Sequence, residues 1–148
     1  HDELWASGRI KDGMSEKEKA IEYSKWMSIN CSYASNDTVV SVYGQKSWVV
    51  DYAYGPLVLG YGECDGLSKA YKELLDTDGI SCELKQSTSH MWVTATLDGV
   101  SYDPIDITAM VQCSSEVDDS FDSYVWEMYR DQIFYPDEWN ARYDNVYD

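Results

Sequence analysis

Cys64 and His90 are the two side chains in this sequence whose types and settings suit covalent chemistry. Cys64 lies in the stretch Gly60-Tyr61-Gly62-Glu63-Cys64-Asp65-Gly66-Leu67-Ser68-Lys69-Ala70-Tyr71-Lys72-Glu73-Leu74-Leu75. From Leu67 onward, Leu67, Ala70, Tyr71, Leu74 and Leu75 recur at the spacing of one helical face. Gly60 and Gly62 permit a tight turn ahead of it. Cys64 therefore sits where loop becomes helix, among unpaired backbone N–H groups and the positive end of the dipole, a setting that favours a thiolate. A thiolate attacks carbonyl carbon, provided a base takes the thiol proton and a third group holds that base in position. The chain has two histidines, His1 at the terminus and His90 at the mouth of a strand, and His90 is the candidate base.

The third group depends on strand register. Residues 90–97 alternate, with His90, Trp92, Thr94 and Thr96 on one face, and Asp98-Gly99 is a hairpin signal leading to a return strand over 100–106. With a two-residue loop, Asp106 points to the wrong face, and Asp103 shares the face with His90 but lies ~13 Å along the ladder. A three-residue loop with Gly99 left-handed beside a bulge sets His90 opposite Asp106, and a bulge at Pro104 also restores the face. Asp106 is the expected orienting carboxylate, with Asp103 second.

The elements around these residues are expected as follows. Residues 1–14 read as a short polar tether and residues 15–148 as a single domain, with His1 at a frayed end. Ser15 and Glu18 fit a capping box opening a helix over 15–28, with Ala20, Tyr23 and Met27 on its apolar stripe. Residues 32–37 read as loop, 38–43 as a β-prone run, and 48–54 as a short helix broken by Gly55-Pro56. The long helix stops near Asp76, with Gly79 placed to end it, and residues 80–86 alternate as a strand. Beyond Thr108, the aromatic segment around residues 124–129 reads as a closing helix. The acidic residues Asp118, Asp119 and Asp122 before it lack EF-hand spacing and read as a solvated face rather than a calcium site.

Composition limits the partners. The chain has 148 residues, 44% hydrophobic and 14% aromatic, enough for one globular core. A formal charge of −16 with 11 Lys plus Arg argues against nucleic acid and against anionic membrane surfaces. No apolar run approaches the ~18 residues of a membrane-spanning helix. No signal peptide or initiating Met is present, so the chain reads as beginning inside a longer product. With Cys64 free, Cys31, Cys82 and Cys113 are an odd number, and Cys82 in the alternation Ile80, Cys82, Leu84 reads as a small core residue. Neither a disulfide framework nor a structural zinc site is expected, and no metal or cofactor is assigned.

Taken in order, Gly62-Glu63-Cys64-Asp65-Gly66, Gly79-Ile80, His90-Met91-Trp92 and Tyr102-Asp103-Pro104-Ile105-Asp106-Ile107-Thr108 resemble the transglutaminase-like superfamily over about residues 15–108. Its pattern is G-x-C-x-G-[YFL]-[AS], then G-I, then H-x-W, then an aromatic residue, three residues, and D-x-T. Leu67 stands where many members carry Tyr or Phe, Thr94 where an acidic residue is frequent, and the span from His90 to Asp106 is one residue longer than in the commonest short bacterial versions. The resemblance implies an α+β fold with a papain-like core, the Cys-bearing helix packed on an antiparallel sheet, and Cys64, His90 and Asp106 as a triad.

The activity expected is acyl transfer on an amide of a protein or peptide. Hydrolysis by a protease or amidase is preferred, because water wins unless a site excludes it, and a cross-linking transglutaminase is the alternative. A non-catalytic peptide- or glycan-binding module on the same fold is the third reading, suggested by 13 tyrosines and 6 tryptophans. Trp48, Tyr54 and Trp92 are candidates for oxyanion or substrate contacts beside the Cys64 N–H. Resemblance to secreted, multidomain bacterial members implies a location outside the cytoplasm, with cell-envelope association through upstream regions.

Overall fold

The computed structural model describes residues 1–114 of the chain. Their order is α1 (Asp2–Ala6), α2 (Glu16–Asn30), β1 (Ser32–Tyr33), α3 (Asn36–Ser41), a 3₁₀ turn (Ser47–Asp51), a π turn (Gly55–Leu59), β2 (Tyr61–Gly62), α4 (Cys64–Thr77), β3 (Cys82–Gln86), β4 (Met91–Leu97), β5 (Val100–Ile105) and α5 (Ile107–Ser114). The fold mixes helices with an antiparallel sheet in the order β3-β4-β5 and a separate parallel bridge between β1 and β2.

The apolar stripe of α4 decides the packing. Leu67, Ala70, Tyr71, Leu74 and Leu75 are buried in one cluster with Ala20, Tyr23 and Met27 of α2 and with Val93, Ala95, Leu97 and Ile105 of the sheet. Each fully buried large apolar side chain contributes roughly 1.5–3 kcal/mol relative to exposure, so this stripe is the main fastening of α4. Tyr71 satisfies its buried hydroxyl by donating to the Ala20 carbonyl at 2.7 Å, which ties α4 to α2. The Oγ of Ser15 accepts from the Glu18 N–H and opens α2. Gly79, at φ 71°, follows the end of α4.

The hairpin has a two-residue loop. Leu97 pairs with Val100, and Asp98 and Gly99 both take positive φ, 54° and 81°. The three-residue alternative is not adopted. Asp98 tolerates the left-handed backbone because its carboxylate accepts from the Glu16 and Lys17 N–H groups, holding the hairpin against the start of α2. Farther along, Ala95 pairs with Tyr102 but Val93 with Ile105, so one extra residue enters β5 at Asp103-Pro104. That bulge reverses the facing of everything after it and brings Asp106 to the side of His90.

Four local expectations are corrected. Residues 38–43 begin as helix rather than strand. The Ser35 Oγ accepts from the Thr38 N–H, and Val39 is buried beside Val49 and Val50, which together outweigh the β-branched composition. The stretch 32–37 read as loop contains β1 and the first residues of α3. Where a polar tether with a frayed end is expected, α1 folds onto the core. Leu4 and Ile10 are buried, and His1 bonds Asp2 and Asp78. Cys82 is half-buried rather than core, its sulfur 3.3 Å from an Asp76 carboxylate oxygen. The helix expected around 124–129 and the acidic residues 118, 119 and 122 lie outside the described residues, as does the Cys113 side chain.

Gly66 gives a test of how α4 is seated. A Cβ built on Gly66 would lie 2.0 Å from the Val50 carbonyl oxygen, an approach that backbone cannot relieve cheaply. Gly66→Ala is expected to cost at least about 3 kcal/mol of unfolding free energy, read by urea denaturation, and an unchanged midpoint would contradict this seating.

Candidate active site

Three loci converge on one point. At the first, Glu63 is the N-cap of α4 with an extended backbone and no side-chain capping bond, so Cys64 opens the helix where the leading amides have no intrahelical acceptor. The segment before it is laid tightly against that first turn. The Glu63 N–H donates to the Val50 carbonyl at 2.9 Å, and the Lys69 ammonium donates to the Asp51 carbonyl at 2.8 Å. A side chain at Gly62 would strike Pro56, 2.8 Å away, which is why glycine stands there.

His90, the second locus, precedes β4 in a turn closed by the Ser87 N–H donating to the His90 carbonyl at 2.9 Å. One residue on, the Met91 carbonyl accepts from the fully buried Ser68 hydroxyl at 3.0 Å. Ser68 is four residues after Cys64 and therefore on the same face of α4. This single bond registers the helix that Cys64 opens against the strand that follows His90.

Asp106, the third, is fully buried between β5 and α5. Its Oδ2 lies 2.6 Å from Nε2 of His90, while its Oδ1 accepts from the Thr108 and Ala109 N–H groups at 3.1 and 3.3 Å. The carboxylate thus caps α5 with one oxygen and receives the imidazole N–H with the other. A carboxylate oxygen requires a donor, so Nε2 carries the hydrogen and Nδ1 is the ring nitrogen that serves the thiol.

The electrostatics of His90 follow from these partners. Burial alone lowers an imidazole pKa, but hydrogen bonding and charge from Asp106 and Cys64 outweigh it and push His90 up to about 9. Cys64 is thus the second electrostatic partner of the same ring. His90 keeps 9% side-chain exposure.

The remaining candidates are arranged differently. Asp103 does not touch His90; it accepts from the Trp92 indole N–H at 3.0 Å and pairs with Lys85 at 3.1 Å. Trp92 is buried with its ring stacked on His90, and its N–H is directed to Asp103 rather than to the region above Cys64. Trp48 and Tyr54 are half exposed, and the Trp48 ring contacts both Tyr52 and Tyr54 on the segment packed against the start of α4.

Two features of the site lie outside what the residue spacing indicated. Asp51, Glu63 and Asp65 place one carboxylate oxygen each within 4.8 Å of the others, the one grouping of metal-type ligands among the described residues. Burial and then the charge of Asp51 raise both Glu63 and Asp65 above the usual carboxylate range, against backbone N–H bonds that lower them. Glu63 and Asp65 flank Cys64 in sequence, but nothing in the chain links Asp51 to them before folding. The second feature is Tyr33, which the β1–β2 bridge sets beside Gly62, with its phenol within the fields of Glu63 and Cys64. Burial first, and those charges next, raise that phenol and keep it a proton donor.

Comparison with protein-family models, with curated proteins and with solved structures returned no match. The site therefore rests on its own geometry.

The other described cysteines provide an internal control. Burial pushes the Cys31 thiol up to about 12, and burial together with Asp76 does the same for Cys82. Iodoacetamide at neutral pH is expected to label Cys64 before either, mapped by peptide mass spectrometry. Equal labelling of Cys31 or Cys82 would remove the case for an activated nucleophile.

Proposed function

We propose that this protein is a cysteine-dependent acyl-transfer enzyme acting on an amide, with a papain-like core of the transglutaminase-like kind. The observation that carries the reading is the imidazole of His90 held by Asp106 at 2.6 Å, with Cys64 near enough to the same ring to raise its pKa. The packing of the cysteine-bearing α4 on the antiparallel sheet that presents His90 and Asp106 supports the same reading.

The chemistry runs in two halves. Cys64 gives its thiol proton to His90 Nδ1 before substrate reacts; the thiolate sulfur then bonds to the amide carbon, and the carbonyl electrons move onto oxygen. The Cys64 N–H at the start of α4 is one donor for that oxyanion. As the oxyanion collapses, the C–N bond breaks, His90 gives its proton to the leaving amine, and a thioacyl enzyme remains. A second nucleophile then attacks the thioester, His90 takes its proton, and the acyl group leaves Cys64, which recovers the proton. Asp106 keeps the ring in the tautomer both halves need.

Water as the second nucleophile makes the protein a protease or amidase, and this is the reading adopted. The substrate is a protein or peptide met outside the cytoplasm, with Trp48 and Tyr54 as contacts for its chain, and no metal or cofactor takes part. Incubation with a glutamine peptide and a primary-amine donor distinguishes the outcomes. Cleavage or ammonia release without amine incorporation is expected; incorporation would make the protein a cross-linking transglutaminase, and no reaction of Cys64 with any amide or activated ester would overturn acyl transfer altogether.

A further inference from the structure

We propose that Asp103 and Trp92 form a positioning pair for the base, in which the indole, fixed by Asp103, holds the His90 ring in the plane that serves Cys64 and Asp106 together. The catalytic consequence rests on the acyl-transfer reading; the positioning itself does not.

A hydrogen bond at Nε2 fixes one point of the imidazole; rotation about that point and about the side-chain torsions is fixed by its other contacts. The structure supplies a second constraint. The Trp92 ring lies 6.2 Å from the His90 ring between centroids at an interplanar angle of 22°, an offset stack, and Trp92 is 6% exposed. Its own orientation is set at the far edge, where Nε1 donates to Asp103 Oδ1 at 3.0 Å. The other oxygen of Asp103 meets the Lys85 ammonium at 3.1 Å. Lys85, Trp92 and Asp103 come from β3, β4 and β5, with Lys85 directly opposite Trp92 in the ladder and Asp103 at the bulge. The three form a row across the sheet that ends against the imidazole.

Magnitude separates this role from simple stability. Lys85 and Asp103 are 48% and 43% exposed, and an exposed ion pair adds little to stability. Orientation is a different matter, because small misplacements of a catalytic group carry large rate penalties. Charge acts in the same direction. Donation of the indole N–H to a carboxylate leaves the ring face more electron-rich, which favours the imidazolium beside it. Among the described residues, the groups facing His90 are Asp106 from the β5–α5 junction and Cys64 from α4, while Asp103 acts through the indole and Lys85 opposes it from β3.

The test uses Asp103→Asn, at an exposed position, alongside Trp92→Phe, which retains a ring but loses the N–H. His90 is titrated by NMR, and kcat and KM are followed against pH. In folded Asp103→Asn, His90 is expected to titrate at lower pH than in the parent, and kcat to fall about tenfold with KM changed less than twofold. Trp92→Phe should shift both in the same direction. Unchanged titration and unchanged kcat in folded Asp103→Asn would overturn the proposal while leaving acyl transfer intact. A parent protein that never forms an acyl-enzyme would overturn the functional reading instead, and the NMR titration, which needs no substrate, would still decide the positioning role.

Discussion

Replacing Cys64 by alanine is expected to lower kcat/KM for amide turnover by on the order of 10⁵–10⁶-fold, to the level the remaining oxyanion donor and binding surface can sustain. On α4 no other side chain can form the covalent intermediate, because Ser68, the hydroxyl on the same helical face, is fully buried and donates to the Met91 carbonyl. The fold should be indifferent. Alanine is an excellent helix former, Cys64 is only partly buried, and the apolar stripe that fastens α4 begins at Leu67. Thermal unfolding within about 1 kcal/mol of the parent would establish that the loss is chemical. Activity above about one-hundredth of the parent would sink Cys64 as the nucleophile.

Asp106→Asn is expected to reduce kcat roughly 10²–10⁴-fold while leaving most of the stability in place. Asparagine keeps an oxygen for the Thr108 and Ala109 N–H groups, so the cap of α5 survives, but its amide then faces His90 Nε2 with a second donor. The imidazole must turn away or move its hydrogen to Nδ1, and Nδ1 can then no longer accept the thiol proton. Asp106→Ala removes the cap as well and should cost a further ~1–2 kcal/mol.

The pH dependence of stability reports the same contact. His90 is raised from 6.5 to about 9 in the fold, so its favourable interactions are fully present below pH 6.5 and are lost as pH rises through about 9. Unfolding free energy should decline over that window in the parent, and the decline should shrink in Asp106→Asn. Urea titrations at pH 6 and 9.5 measure it; an equal decline in both proteins would show that His90 and Asp106 are not coupled.

Much of this arrangement is visible in the residues before any coordinates are considered. The stripe from Leu67 to Leu75 and the Ser15 cap declare α4 and α2, since both signals are local and repeat at helical spacing. The hairpin is equally local at Asp98-Gly99, but its register is not. Two different bulge positions satisfy the same alternation, and only the pairing of Val93 with Ile105 selects Pro104. Residues 36–41 mislead because the propensity of Thr38 and Val39 is weak beside one serine cap and a packed valine. The N-terminal segment misleads for the opposite reason: Leu4 and Ile10 are too sparse to make a period, yet each finds a place in the core. At the site, the side chains that the spacing associates can be read from sequence, whereas Asp51 joins Glu63 and Asp65, and Tyr33 joins Cys64, only through the fold.

The two oxygens of Asp106 have divided duties, one to the amides of α5 and one to His90. Fraying of the first turn of α5 would release the same side chain that steadies the imidazole, so local melting of that helix becomes a loss of function well before global unfolding. Sequence drift at this position is constrained twice over, once by the helix and once by the reaction. A descendant that abandoned catalysis would still have reason to keep an oxygen there, for the amides of α5 alone.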